Sequence, residues 1–267
     1  MPWSFLSTGN PGGLALTSSG NLGGGMSFLG PSVSAEIVTN GLLMNLDAGN
    51  ASSYPGSGTT WTDLSGNGVN GTLTNGPTFN SANGGSIFLD NVDDYVIFNT
   101  TTFPAGNSPF TMEIMFNSVS NNSRPMFSYG RDQGGGNACP ILAVLTSNKS
   151  ILTFGSNTGD VLSNTTIITG TWYHMCGVYT TTQTQMYING VLENTTNYSS
   201  ANVILNNNVN GNFGALGALF SGFGNLGNPL RYGPGNVSIA KAAVYNRALT
   251  APEVLQNFNA IRGRFGI

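Results

Sequence analysis

Apolar and polar side chains alternate with period two along Thr171-Trp-Tyr-His-Met-Cys-Gly-Val-Tyr and again along Met186-Tyr-Ile-Asn-Gly-Val-Leu. That period belongs to strands, because successive side chains of an extended chain point to opposite faces of a sheet. Polar, β-prone residues 180–184 separate the two runs, and Asn189-Gly190 supplies a tight reversal that accepts positive φ. The segment reads as a meander in the inner framework of an antiparallel sandwich. Similar short runs lie at 41–47, 71–74, 86–90, 95–98, 110–116, 124–129, 141–146, 151–155, 203–205, 213–219 and 237–245, separated by turn-forming clusters. Strands of this length and spacing predict an all-β fold, a two-sheet antiparallel jelly-roll sandwich.

One helix is predicted, late in the chain. Thr250-Ala-Pro-Glu253 places a hydroxyl at the N-cap, a proline in the first turn and a glutamate at the third position, a capping box. Val254, Leu255 and Phe258 then form an apolar stripe that would close one end of the sandwich. Residues 1–36 break the strand pattern. They are rich in Gly, Ser and Asn, carry no charge before Glu36, and include Trp3, Phe5, Leu6 and Phe28, which are too apolar for a solvated linker. The expected organisation is an extended N-terminal arm over 1–36 that orders against a partner, then a sandwich over 37–267. A tail packed back on its own domain is the alternative.

Composition narrows the classes. Charged residues are 7% of the 267, against roughly 25% in ordinary soluble proteins, so solubility rests on Asn, Ser, Thr and backbone. The formal net charge is -3 and the few Lys and Arg are scattered, which argues against nucleic acid as a partner. No apolar run approaches the length of a membrane span, so membrane insertion is not expected. Residues 1–30 hold no Lys or Arg, and Gly and Pro interrupt their apolar stretches, unlike a secretory leader. A chain made in a cytoplasm, and leaving it if at all within an assembled particle, is expected. Cys139 and Cys176 accordingly read as free thiols.

Several segments follow one another in an order of their own: Gly41-Leu-Leu-Met-Asn-Leu-Asp-Ala-Gly-Asn, Trp61-Thr-Asp-Leu-Ser-Gly-Asn-Gly, Phe88-Leu-Asp-Asn-Val-Asp-Asp-Tyr-Val, Thr171-Trp-Tyr-His, Tyr187-Ile-Asn-Gly and Ala243-Val-Tyr-Asn-Arg-Ala-Leu-Thr-Ala-Pro-Glu-Val. Together they resemble the laminin-G-like branch of the concanavalin A-like lectin/glucanase superfamily over residues 37–265. Tyr54-Pro-Gly-Ser-Gly-Thr-Thr-Trp and the closing Asn257-Phe-Asn-Ala also resemble domains carried on structural proteins of tailed phages. The resemblance implies a concanavalin A-like sandwich and, as in many laminin-G-like domains, a structural calcium held by turn carboxylates and carbonyls. Relatives tend to carry an acid in the strand before Tyr-Asn-Arg-Ala-Leu. This chain has Ile239-Ala-Lys241-Ala-Ala-Val there.

Candidate chemistry is sparse. His174, the only histidine, sits mid-strand on the face of Trp172, Cys176 and Val178, and reads as structural. A glucanase of this superfamily would need acids at alternate positions of one strand; Glu113 stands alone and Glu193 follows a turn, so no catalytic residue is assigned. Asp63, Ser65 and Asn67 have the spacing of oxygen ligands in a calcium loop, and equally that of a turn in which Asp and Asn bond their own backbone. Asp90, Asp93 and Asp94 flank one turn and repel unless a cation or hydrogen-bond donors compensate. Arg247 should pair within the fold, with Asp63 or Asp94 as the class of partner. The loops over 206–233, with Asn207, Asn210, Phe220, Phe223 and Tyr232, are the expected ligand or partner surface.

The expected function is that of a non-enzymatic phage virion structural protein: a head decoration, fibre or tail-associated subunit at the virion surface. Its arm would bind other virion proteins, capsid or tail subunits. Symmetric virion positions imply a homo-oligomer, and the sandwich would display a surface for host glycans. A bacterial carbohydrate-binding module or adhesin is the alternative. No cofactor is required beyond a structural calcium.

Overall fold

The computed structural model describes residues 36–119, 124–130, 137–154, 159–197, 204–205, 213–220, 230–232 and 236–267. The expectations for the arm, including Trp3, Phe5, Leu6 and Phe28, and those for Asn207, Asn210 and Phe223, lie outside the described residues. In chain order the strands are β1 (Leu42–Asp47), β2 (Thr60–Trp61), β3 (Gly71–Thr74), β4 (Thr78–Asn80), β5 (Ser86–Asp90), β6 (Tyr95–Asn99) and β7 (Phe110–Ser118). There follow β8 (Arg124–Tyr129), β9 (Asn137–Ala138), β10 (Ile141–Val144), β11 (Lys149–Thr153), β12 (Val161–Thr166), β13 (Trp172–Tyr179) and β14 (Gln183–Ile188). The last are β15 (Val191–Asn197), β16 (Ile204–Leu205), β17 (Phe213–Leu216), β18 (Leu219–Phe220), β19 (Leu230–Tyr232) and β20 (Asn236–Tyr245), and helix α1 spans Ala251–Ile261.

Two antiparallel sheets of eight strands make a concanavalin A-like sandwich. The first runs β15-β14-β13-β7-β20-β5-β4, with β1 also on β20; the second runs β12-β11-β10-β8-β17-β6-β3-β2. Their inner faces meet over one core that contains Met44, Leu46, Trp61, Phe98, Phe110, Phe116, Phe127, Tyr129, Leu152 and Phe154. Aromatic rings cross it in edge contacts: Phe103 on Tyr129 at 5.2 Å, Tyr129 on Phe110 at 5.6 Å, and Phe154 on Tyr179 at 5.6 Å. Truncating such a ring to alanine costs about 3–5 kcal/mol.

The 171–192 meander forms as its alternation predicts, and Asn189 (φ 50) and Gly190 (φ 77) make the tight turn. Tyr173 and Met175 point into the core. Gly177 follows them on that face, where a Cβ would come within 2.9 Å of Leu142 and Leu152 of the opposite sheet. The meander is inner framework as expected, and its alternate residues are buried on the other face as well. Cys176 and Val178 face outward and pack with Tyr187, Ala243, Tyr245 and Val254 of α1.

The helix therefore lies across the outer face of the first sheet and does not close one end of the sandwich. Phe258 meets the His174 ring at 5.9 Å, and Ile261 packs with Met115 and Ala240. The sequence could not separate these placements, because β13 and β7 are buried on both faces and are apolar on both. The capping box forms as expected, with the Thr250 N–H donating to Glu253 Oε2 at 2.8 Å.

The strands β12 and β15 were not predicted. They are edge strands, rich in Ser, Asn and Thr, and lack a continuous apolar face. Glu193 of β15 ties these two edges together across the sheets: its Oε2 accepts Asn164 N (2.7 Å) and Thr165 N (2.9 Å). Cys139 and Cys176 are both buried, and Cys176 is a free thiol.

Candidate functional site

Charged and amide side chains gather in three places, and each is built by a different local device. The first is the turn between β5 and β6. Asn91 adopts φ 66 there, and the reversal brings Asp90, Asp93 and Asp94 together, with one ligand oxygen from each within 4.8 Å of the others. Among the described residues two backbone donors reach these carboxylates: Val92 N to Asp90 Oδ1 (2.8 Å) and Asp90 N to Asp94 Oδ2 (3.2 Å). Asp94 is buried, whereas Asp90 and Asp93 are exposed. Burial raises the Asp94 carboxyl above its ordinary value, and the charges of Asp90 and Asp93 add to that.

Beside the turn, the side-chain oxygens of Asn91 and of Asn236, which stands opposite Asp90 in the ladder, are enclosed without a hydrogen-bond partner among the described residues. Carboxylates and amide carbonyls are the donor set of a hard divalent cation, so these residues fit the implied calcium. Asp90, Asp93 and Asp94 would hold it, and the ion would supply the positive charge that three adjacent carboxylates lack.

The second place is the 63–69 loop. Asp63 Oδ1 accepts Asn45 N (2.8 Å) and Ser65 N (2.9 Å), and Oδ2 accepts Ser65 Oγ (2.7 Å) and Val69 N (3.0 Å). Asn67 Nδ2 donates to Leu42 O at 3.0 Å. The protein's own donors fill Asp63, so the turn reading accounts for this motif and the calcium-loop reading of Asp63 and Asn67 does not. Its work is to bind the loop to β1 and to fix the backbone of Asn45.

Arg247 pairs with neither Asp63 nor Asp94, which corrects that expectation. Its guanidinium forks onto Glu253, Nη1 to Oε2 at 2.9 Å and Nη2 to Oε1 at 2.6 Å, while Nε donates to Asn40 O. The Arg247 bonds hold the Glu253 carboxyl down at about 2.

The third place is under α1, and the sequence did not group it. Glu113 (β7), His174 (β13), Lys241 (β20), Asn45 (β1) and Asn257 (α1) meet there, all buried. Asn257 Nδ2 donates to Glu113 Oε2 (3.0 Å) and Tyr245 OH (2.9 Å), and its Oδ1 accepts Val38 N (2.7 Å). His174 Nε2 stands 3.4 Å from the same Glu113 oxygen. The Lys241 Nζ donates to Asn45 Oδ1.

Burial pushes the Glu113 carboxyl up, but His174, Lys241 and Asn257 outweigh it and leave the group below its ordinary value. Burial pulls the Lys241 ammonium down, and Asp47 and Glu113 pull the other way. Burial and the Glu113 charge push the Cys176 thiol well up. The signal for this cluster was present in the sequence: Glu113 and Lys241 are lone charges inside otherwise apolar strands.

Tyr54, Trp61 and Tyr129 belong to the core and offer no ring to a ligand. The backbones of Phe220 and Tyr232 lie in the two-stranded ribbon of β18 and β19. On the outer face of the second sheet, Cys139, Ile141, Ala143, Ile151 and Leu219 form a separate buried apolar cluster. Among the described residues no helix is long and apolar enough to cross a membrane.

A family model described as the concanavalin A-like lectin/glucanases superfamily, laminin-G type, matches residues 90–255. Solved structures share the fold. The binding domain of Paraclostridial mosquitocidal protein 1 is similar with a TM-score of 0.62 and 15% identity, over 83% of this chain and 52% of that one. Domain 4 of AbnA, a GH43 extracellular arabinanase from Geobacillus stearothermophilus, solved with arabinotriose, is similar with a TM-score of 0.60 and 17% identity, over 81% of this chain and 97% of that domain. Trypanosoma rangeli sialidase is similar with a TM-score of 0.58 and 14% identity, over 84% of this chain and 33% of the sialidase. The chain thus spans about half or less of the toxin domain and the sialidase. No curated protein matches the sequence.

Proposed function

Because the chain belongs to the concanavalin A-like lectin/glucanases superfamily, matched over more than half its length, we propose that it is a non-catalytic glycan-binding domain displayed on a phage virion. The observation that carries the binding role is the neighbour solved with a sugar. The arabinanase domain that holds arabinotriose superposes over 97% of its own length, so the part shared with this chain is nearly that whole domain.

The disposition of acids supports a role without catalysis. Glu113 is sealed under the helix, Glu193 holds two strand edges together, and Glu253 is taken by Arg247. The remaining cluster, Asp90, Asp93 and Asp94, sits on a turn at the end of a hairpin, where a cation fits better than a sugar ring between two opposed acids. The virion placement rests on the low charge, the apolar Gly-rich 1–36 segment and the phage-like wording of the motifs.

A glycan array probed with the purified chain tests the binding role. Saturable binding to a defined class of oligosaccharide is expected, and uniform background would overturn it. Deleting residues 2–30 tests the placement: truncated chains should fold but fail to join particles, and particles that still carry them would defeat the anchoring role.

A further inference from the structure

We propose that Lys241 and Asn45 join in an intramolecular amide bond between β20 and β1, with Glu113 carrying the proton. The pairing registers set out the geometry. Asn45 stands opposite Ala243, and Ala243 opposite Glu113, so these three lie in one row across β1, β20 and β7. Two residues along β20 from Ala243, and so on the same face, Lys241 stands opposite Asp47 and Met115. Ala243 offers only a methyl group between Asn45 and Glu113, and this leaves room for the long Lys241 side chain. Its Nζ is in hydrogen-bond contact with the Asn45 amide, 196 positions away in sequence.

Each participant is held for the reaction. Asp63 fixes the Asn45 backbone through its N–H. Asn257 donates to one oxygen of Glu113, Oε2, from the helix side, and the His174 ring of β13 stands 3.4 Å from the same oxygen. The other, Oε1, is enclosed and has no partner among the described residues. Asn45, Glu113 and Lys241 are 7%, 2% and 3% exposed, so water does not compete for the amide or the amine. The side-chain hydrogen bond of Lys241 goes to a neutral amide, and burial, which outweighs the charges of Asp47 and Glu113, favours the neutral amine that can act as a nucleophile. Amide formation removes that charge altogether.

The step balances without a cofactor or oxidant. The neutral Lys241 amine attacks Asn45 Cγ, forming the new C–N bond, and gives a proton to Glu113 Oε1. The tetrahedral intermediate collapses with cleavage of the Cγ–Nδ2 bond. The proton passes from Glu113 to the departing Nδ2, which leaves as ammonia. The product ties the first strand of the sandwich, which follows directly from the 36–38 segment bound to α1, to the strand that leads into that helix. A pull on the N-terminal segment would then load one covalent bond and would not peel β1 from β20.

The intact mass of the purified full-length chain tests this without any variant. A mass below the sequence value by one ammonia is expected. A chymotryptic digest should then contain a branched peptide linking Lys241 to Asn45, and the denatured chain should migrate faster on a gel. A full mass overturns the proposal. So does the loss of ammonia without the branched peptide, because Asn-Gly sequences such as Asn189-Gly190 can lose ammonia on their own. Lys241→Arg should restore the full mass and normal migration. Glu113→Gln, checked for its fold by near-ultraviolet circular dichroism, should keep the full mass, since Gln cannot take the proton. A folded Glu113→Gln chain that is still cross-linked would remove Glu113 from the step.

Discussion

Two regions of this molecule concentrate charge, and they do so in opposite ways. Under α1, Glu113 and Lys241 are closed off from water, and each has an amide side chain as hydrogen-bond partner, Asn257 for the one and Asn45 for the other. At the β5–β6 turn, three carboxylates of one sign sit side by side, two of them in solvent. In a chain with 7% charged residues, neither arrangement follows from an abundance of charge. The comparison teaches where each charge is satisfied. The covered cluster takes its partners for Glu113 Oε2, Asn257 and Lys241 from inside the chain, so it dictates how helix, sheet and the 36–38 segment fit together. Among the described residues the turn finds two backbone donors and no basic side chain, so a proton or a cation would supply the counter-charge.

The largest effect should come from breaking the covered cluster at its hub. Asn257→Ala removes the bonds to Glu113, Tyr245 and Val38 and leaves a buried carboxylate oxygen and a backbone N–H unsatisfied. A loss of about 3–5 kcal/mol in urea unfolding is expected, in line with removing one member of a buried charged group. Leu255→Ala, on the exposed side of the same helix, should change stability by less than about 1 kcal/mol. Equal losses in the two variants would mean that helix packing, and not the polar hub, fixes this face.

A smaller effect should separate the turn from the cluster. Calcium should raise the melting temperature and EDTA should reverse the rise, with a gain of about 2.7 kcal/mol when the ion is about a hundredfold above its Kd. Asp94→Asn should abolish the response, while Asn257→Ala should keep it. Protons compete for the same oxygens. Since the Asp94 carboxyl is raised, its proton goes on at a higher pH than in an ordinary aspartate, and the calcium response should begin to fade there as pH falls. An unchanged melting temperature with calcium and with EDTA would end the calcium reading.

The same contrast explains what could be read from the sequence. Asp90, Asp93 and Asp94 were legible because a single turn brings neighbours in sequence together. The strands were legible where one face is more buried than the other, as in β3 and β5, whose limits match the alternation residue for residue. The edges β12 and β15 were not, because polar residues cover them. The helix announced itself through Thr250 and Glu253, yet its seat on the sheet was hidden, since apolar residues on both faces of β13 are compatible with either placement. The Asn45–Lys241–Glu113 group joins three strands far apart in the chain, and only the registers reveal that they share a face. For Arg247, distant acids looked suitable, while the true partner lay six residues along at the helix cap.

That Arg247–Glu253 pair gives the smallest effect and an intermediate case between the two regions: opposite charges, as under the helix, yet partly open to water, with the side chains 25% and 28% exposed. Solvent screening limits what such a pair contributes, so Glu253→Gln should cost about 1 kcal/mol at neutral pH. Its pH dependence has a definite sign. The folded carboxyl is held at about 2 by Arg247, below its ordinary 4.5, so on acidification the unfolded chain takes up the proton first. The contribution is therefore complete above about pH 5 and declines as pH falls through 4.5 toward 2, where wild type and Glu253→Gln should converge. Unfolding of both chains in urea across that range reads the difference directly. A gap that stays constant down to pH 2 would mean that the glutamate acts through its capping bond to Thr250 and not through its charge.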